Sequence, residues 1–322
     1  MSLHVKFWGT RGSIPRPTDQ GQTIERLRQI LNEAGPEDIE TPADVDAFIN
    51  GGCRGKLPTV YGGNTACVQV REEDGPSLLI DFGSGVRDFS SQLLQQHGPV
   101  LPEPLHVMMS HFHWDHIMGF PFFVPAYVPG NIINIYSCHP HVKDAFTRQH
   151  GPPSFPVPFD MLGADIRFHI IDPDATHEIN GYRVTPHALN HEGIAYGFRI
   201  ERSDRVVVYA SDAEHKPEMI SDSYPYLDFI READVLIFDA QYSLAEATSV
   251  KEDWGHSSNV VGVELALLGD VKHLTFFHHE PLNDDVRLDQ IVTEAKRIEE
   301  IMRKGDAKLR ISGAHDGLDL IL

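Results

Sequence analysis

Apolar residues come along this chain in short runs, each closed by a polar residue, a glycine or a proline. The runs at 5–8, 66–70, 78–81, 105–109, 132–136, 166–171, 182–185, 196–200, 205–209, 235–238 and 273–277 have the length and borders of buried or half-buried strands. A different period governs residues 284–304. There Leu288, Ile291, Ala295, Ile298 and Met302 recur at alternating steps of three and four, which predicts an amphipathic helix packed on a sheet, with Leu288 and Met302 in the core. Many strands with helices between them predict two stacked sheets covered by helices, an α/β architecture.

Two segments depart from this pattern. Residues 15–58 read as a helical insertion, with helix-like sequence at 22–34 and 42–50 on either side of a Gly35-Pro36 break. A lid, a homodimer contact and a solvated decoration are the open roles, and decoration is the expectation. The proline-rich stretch 151–158 is stiff, and Phe155 and Phe159 are apolar for a loop. They either border a site or pack over a sheet edge.

At 322 residues and 41% hydrophobic, the chain has material for one large core, and a single domain over 1–322 is the economical reading. Cys53, Cys67 and Cys138 form no Cys-x-x-Cys pair, which suggests a reducing compartment. The first residues run straight into a strand-like segment without the features of a signal peptide, so a cytoplasmic location is expected. The most apolar stretch, 119–130, is broken by Pro121, Pro125 and Pro129, so no membrane span is expected. Net charge is −20, from 27 basic and 47 acidic residues. A surface that grips extended nucleic acid needs a density of Lys and Arg that is missing here, whereas a small anionic substrate remains compatible if metals supply local positive charge.

The chemistry is concentrated at residues 110–120, Ser-His-Phe-His-Trp-Asp-His-Ile-Met-Gly-Phe. His-x-His-x-Asp-His places four metal-capable side chains within six positions, directly after the apolar run 105–109. Imidazole and carboxylate suit Zn, Fe or Mn. Ends of strands that face a loop are where α/β proteins build their sites.

This strand and motif resemble those of the metallo-β-lactamase-fold hydrolases. The resemblance implies an αββα sandwich of two mixed sheets, and a further His, Asp and His in that order downstream. His191 precedes the run at 196–200, Asp212 closely follows that at 205–209, and His278 follows that at 273–277. Carried over residue by residue, the resemblance implies that His111, His113 and His191 hold one divalent ion and Asp115, His116 and His278 a second. Asp212 would bridge them. Zinc is the expected metal, with Mn or Fe as alternatives. His187 competes with His191, and His279 with His278.

A finer resemblance points to the ribonuclease Z and phosphodiesterase branch. Its carriers are Trp254-Gly255-His256-Ser257-Ser258, the segment 7–13 and Tyr61-Gly62-Gly63-Asn64-Thr65. An alkoxide is a poor leaving group, so cleavage of a phosphodiester gains from a positioned general acid. His256 is the candidate, oriented by Glu214 or Asp253; the competing reading makes it the residue before a helix N-cap at Ser257. Asp115, Asp212 and His256 are thus the catalytic candidates. The expected activity is hydrolysis of a small or cyclic nucleotide-type phosphodiester through a metal-bound hydroxide. Hydrolysis of a thioester, lactone or β-lactam, ribonuclease Z-like tRNA processing, and a metal-binding sensor without turnover are the alternatives.

Overall fold

The computed structural model describes residues 2–55, 59–73, 75–216, 219–221, 223–247, 249 and 251–322. Residues 56–58, the end of the insertion, lie outside the described residues. One sheet contains β1 (Leu3–Gly9), β2 (Cys67–Glu72), β3 (Ser77–Ile80), β4 (Leu105–Met108), β5 (Ile132–Ser137) and β6 (Asp165–Ile170). The other contains β7 (His177–Ile179), β8 (Tyr182–Leu189), β9 (Ala195–Arg202), β10 (Arg205–Ala210), β11 (Val235–Asp239), β12 (His273–Phe277) and β13 (Arg310–Gly313). The last strand, β14 (Asp319–Ile321), returns to the first sheet beside β1. The orders are β14-β1-β2-β3-β4-β5-β6 and β13-β12-β11-β10-β9-β8-β7. In each sheet one run of strands is parallel, β3 to β6 and β10 to β13, and the rest is antiparallel.

The period of two along the strands builds three apolar layers. Val235 and Ile237 of β11 face the layer between the sheets, while Leu236 and Phe238 face the helices outside. In β10, Val207 and Tyr209 point inward and Val208 and Ala210 outward. In β3, Leu78 and Ile80 point inward, and Leu79 meets the outer layer of the first sheet. Helices Val86–His97 and Val142–Gln149 contribute Phe89 and Phe146 to that outer layer. Helices Asn259–Leu268 and Asp285–Met302 cover the second sheet. Helix, sheet, sheet, helix is the αββα sandwich expected from the sequence.

Each of the eleven predicted runs lies on a strand, and three further strands escaped the pattern. β7, β13 and β14 are three or four residues long, sit at sheet edges or ends, and mix polar with apolar residues, so no apolar run marks them. The helix expected at 284–304 is Asp285–Met302, with Asp284 accepting from Arg287 N as its N-cap. Leu288, Ile291 and Ala295 are buried, whereas Met302 is only half-buried. In the insertion, Gln20–Glu33 starts with a capping box between Asp19 and Gln22, and Pro42–Asn50 is capped by Thr41. The first of these helices buries none of its residues and leaves Ile24, Leu27 and Leu31 about half exposed. Phe155 packs edge-on against Phe122 and His150, and Phe159 against His150, Phe120 and Phe168. Aromatic packing therefore accounts for both. Among the described residues, no helix is long and apolar enough to cross a membrane.

Ile237→Ala, which opens a void between the sheets, is expected to cost about 2–5 kcal/mol. Leu31→Ala on the exposed insertion helix should change stability by less than about 0.5 kcal/mol. Urea unfolding of chelator-treated protein measures both, and equal losses would make the insertion part of the core.

Candidate metal centre

The carboxyl ends of the strands converge on one edge of the sandwich, and the side chains of interest lie there. β4 runs out at Met108, and the loop after it delivers His111 and His113 before a single helical turn, Trp114–Ile117, turns Asp115 and His116 inward. Asp212 follows β10, His278 follows β12, and His191 follows β8. Asp115, His116, Asp212 and His278 are buried, while His113 stands at the mouth.

Two groups of donors face each other. His111, His113 and His191 have ring nitrogens within 4.8 Å of one another, and so do the donor atoms of Asp115, His116 and His278. Asp212 reaches both: its carboxylate lies 3.9 Å from His111 Nε2, 4.0 Å from His191 Nε2, 3.3 Å from His116 Nε2 and 3.2 Å from His278 Nε2. Ligands held about 2.0–2.1 Å from one tetrahedral ion stand roughly 3.3 Å apart. The separations here are of that size: 3.1 Å for His113 Nδ1 to His191 Nε2, 3.4 Å for His116 Nε2 to His278 Nε2, and 2.9 Å for His278 Nε2 to Asp115 Oδ2. The Nε2 of His111 is buried without a hydrogen-bond partner, as fits a nitrogen reserved for a metal. The donor set therefore fits divalent ions in two adjacent positions.

Surrounding groups fix which atoms face the centre. Asp81, at the end of β3, accepts from His116 Nδ1 at 2.7 Å, so the Nε2 of His116 carries the free lone pair. The same carboxylate accepts from Ser110 N and Oγ and from Tyr209 OH. His191 Nδ1 donates to Gly255 O at 3.0 Å, which points its Nε2 at His113. Ser13 N donates to Asp115, and Ser211 Oγ to Asp212. Gly12 and Gly255 are flush against the rings of His278 and His191, where a Cβ would come within 2.5 and 2.1 Å.

Electrostatics match this arrangement. Burial holds His111, His113 and His191 neutral by lowering their pKa. Burial alone would raise Asp115 and Asp212, but the surrounding histidines overcome it and hold both carboxyls well below the usual range. Burial would likewise lower His116 and His278, and here the carboxylates win: His116 is pushed well up, and His278 to about 9. Without a metal, the centre balances its buried anions with protons.

His256 borders the same centre. Its ring stacks on that of His278 at 5.1 Å, and Asp212, Asp239, His256 and His278 place donor atoms within 4.8 Å of one another. The orienting residue expected from the sequence, Glu214 or Asp253, is neither of these. Asp239, which closes β11, accepts from His256 Nδ1 at 2.6 Å and from Gln241 N. Glu214 is instead used by the backbone N–H groups of Asp253 and Gly255, and Asp253 pairs with Lys216. Ser258, not Ser257, caps the helix Asn259–Leu268. Asp239 and Asp81 were missed in the sequence although each ends an apolar run as Asp212 does.

The competing histidines lie elsewhere. His187 pairs with Asp174 at 2.8 Å and stacks on Phe229, and His279 donates to Ala314 O and meets Tyr61 edge-on.

Comparison with known proteins places this geometry. A ribonuclease Z from Crocosphaera subtropica is 24% identical over 269 residues, covering 68% of this chain and 83% of that protein. Two solved structures are similar in fold. One is a diphosphatase from the PhnP family, with TM-score 0.59 and 20% identity over 99% of this chain and 97% of that one. The other is yeast PDE1, with TM-score 0.62 and 15% identity over 99% of each chain. The beta-lactamase superfamily domain matches residues 77–279, a span that holds the strand ends from Asp81 to His278 and more than half of the sequence; the chain therefore belongs to that superfamily, as a metallo-β-lactamase-fold hydrolase.

Proposed function

We propose that this protein is a phosphodiesterase that uses two divalent ions, zinc by preference, to cleave a small or cyclic nucleotide-type diester. His111, His113 and His191 would hold one ion, Asp115, His116 and His278 the other, and Asp212 both. When bound, such a pair supplies Lewis acidity and a nucleophile drawn from water at neutral pH. The observation that carries the reading is the Asp239–His256 pair at the edge of this centre. With Nδ1–H held by Asp239, His256 has Nε2 for substrate. As water's oxygen bonds to phosphorus, the P–O bond to the leaving alcohol breaks, that alcohol takes its proton from His256, and the proton shed by the water passes to solvent, from which His256 is reprotonated. A thioester, with a better leaving group, has less need of such a pair.

The curated relative named ribonuclease Z supports a second reading, a tRNA substrate. The net charge of −20 weighs against it. Cleavage of a small diester should depend weakly on salt, whereas a tRNA that contacts many phosphates would lose affinity steeply between 50 and 200 mM salt. Preference for a tRNA precursor, with a steep slope, would decide for the second reading.

Metal content tests the ligand assignment. The protein should carry about two ions per chain, and Asp212→Ala and His191→Ala should lower that number while His187→Ala does not. Metal binding at pH 7 should also release roughly one to two protons, because His116 and His278 have raised pKa values in the metal-free centre. Both groups must lose a proton to bind a cation, so affinity should rise with pH through about 9, where His278 titrates. Calorimetry in buffers of different ionisation enthalpy reads the proton count, and a count of zero contradicts the assignment.

His256→Ala should slow an alkyl diester by roughly a hundredfold and a nitrophenyl diester far less, since nitrophenolate departs without a proton. Asp239→Asn should produce the same asymmetry in weaker form, with metal content preserved. Parallel losses on both diesters, accompanied by lost metal, would recast His256 as a structural residue.

A further inference from the structure

The acid side of the centre carries a cation and a large exposed ring that the hydrolytic reading leaves unused. Tyr242 meets the His256 ring edge-on at 5.5 Å between centroids. The ammonium of Lys251 lies over that same Tyr242 ring at 5.1 Å and over the ring of Trp254 at 3.8 Å. Trp254, two residues before His256, is 55% exposed. Large aromatic surfaces in water are costly and commonly serve recognition.

Lys251 is held differently from its neighbour. Lys216 is paired with Asp253 at 2.7 Å and Glu252 at 3.6 Å. Among the described residues, no carboxylate oxygen lies within ion-pair distance of the Lys251 ammonium, and the nearby Glu246 is engaged by Ser243 Oγ at 2.6 Å. Aromatic faces position a cation without neutralising it. Among the described residues the charge of Lys251 is thus left for an anion, in a chain where acidic residues predominate.

Resting on the phosphodiesterase reading, we propose that Trp254 and Lys251 form a leaving-group subsite for a nucleoside that carries a further phosphate. The direction follows from the acid. His256 protonates the departing oxygen, so the departing group lies on the side of the centre where Tyr242, Lys251 and Trp254 stand. The exposed surface of Trp254 stacks on the base, and Lys251 binds the additional phosphate. The other exposed tryptophan near the centre, Trp114, is 79% exposed and follows His113.

Three methyl phosphodiesters separate the contributions: one of glycerol, one of adenosine through its 5′ oxygen, and one of 3′-phosphoadenosine through its 5′ oxygen. Each is hydrolysed with water to methyl phosphate and the free alcohol. The wild type should prefer adenosine to glycerol and 3′-phosphoadenosine to adenosine in kcat/KM. Trp254→Leu should lower the first ratio on the order of tenfold, within the range for base stacking on an aromatic side chain, and Trp254→Phe should restore most of it. Lys251→Met should lower the second ratio on the order of tenfold, as expected for a lost charge-assisted contact. Ratios unmoved by these variants, a wild type without preference, or ratios that follow Trp114→Leu instead would overturn the subsite while leaving the phosphodiesterase reading standing. Hydrolysis of none of the three, or of any alkyl diester, would remove both.

Discussion

Two buried carboxylates set the terms for this structure. Asp115 and Asp212 are 5% and 1% exposed, and an ionised carboxylate taken from water into a protein interior costs several kcal/mol unless opposite charge surrounds it. The fold supplies that charge chiefly from His116, on the single helical turn, and His278, beyond the end of β12. In the metal-free state, protons on His116 and His278 complete the balance. A divalent cation would supply the same balance, and the donor atoms stand about as far apart as a tetrahedral ion requires.

Holding donors in that arrangement has a backbone cost. Asp81, Asp212 and His278 all sit in the left-handed region, at φ 62°, 60° and 56°, where a non-glycine residue loses roughly 1–2 kcal/mol. Each lies at the end of a strand buried on both faces. The apolar layers on either side of β3, β10 and β12 hold those strands in register, so the turn that follows each has little freedom to relax. The stability of the sandwich is thus what keeps strained residues aimed at the centre, and the dense packing at Gly12 and Gly255 leaves their imidazole neighbours little room to turn.

Most of the candidate donors were legible because they lie just beyond an apolar run, as His111, Asp212 and His278 do, and runs of four to six residues survive any choice of register. The three missed strands lack such runs: Arg310–Gly313 and Asp319–Ile321 bury only part of their length. His187 and His191 could not be separated by spacing, since only the end of β8 decides between them. His187 falls within the strand and turns to Phe229, whereas His191 lies beyond it. Asp239 was hidden by the same uncertainty of one residue: the apolar run ends at Phe238, and the strand ends one position later.

Neither carboxylate expected to orient His256 does so: Asp253, three residues before it, pairs with Lys216, and Glu214 is used elsewhere. Its two oxygens accept from Asp253 N and Gly255 N, so it shapes the loop rather than the acid. That loop has two tasks. The carbonyl of Gly255 accepts from His191 Nδ1 and sets the direction of a ligand nitrogen, and the next residue, His256, is aimed by Asp239. Gly255, whose carbonyl holds His191, and His256 are therefore consecutive in one short segment, whose Asp253 and Gly255 N–H groups are tied to the Glu214 carboxylate. A shift of this segment would move His256 and the carbonyl that holds His191 together. Glu214 thus positions both histidines through the loop, and its loss would disturb the two orientations at once.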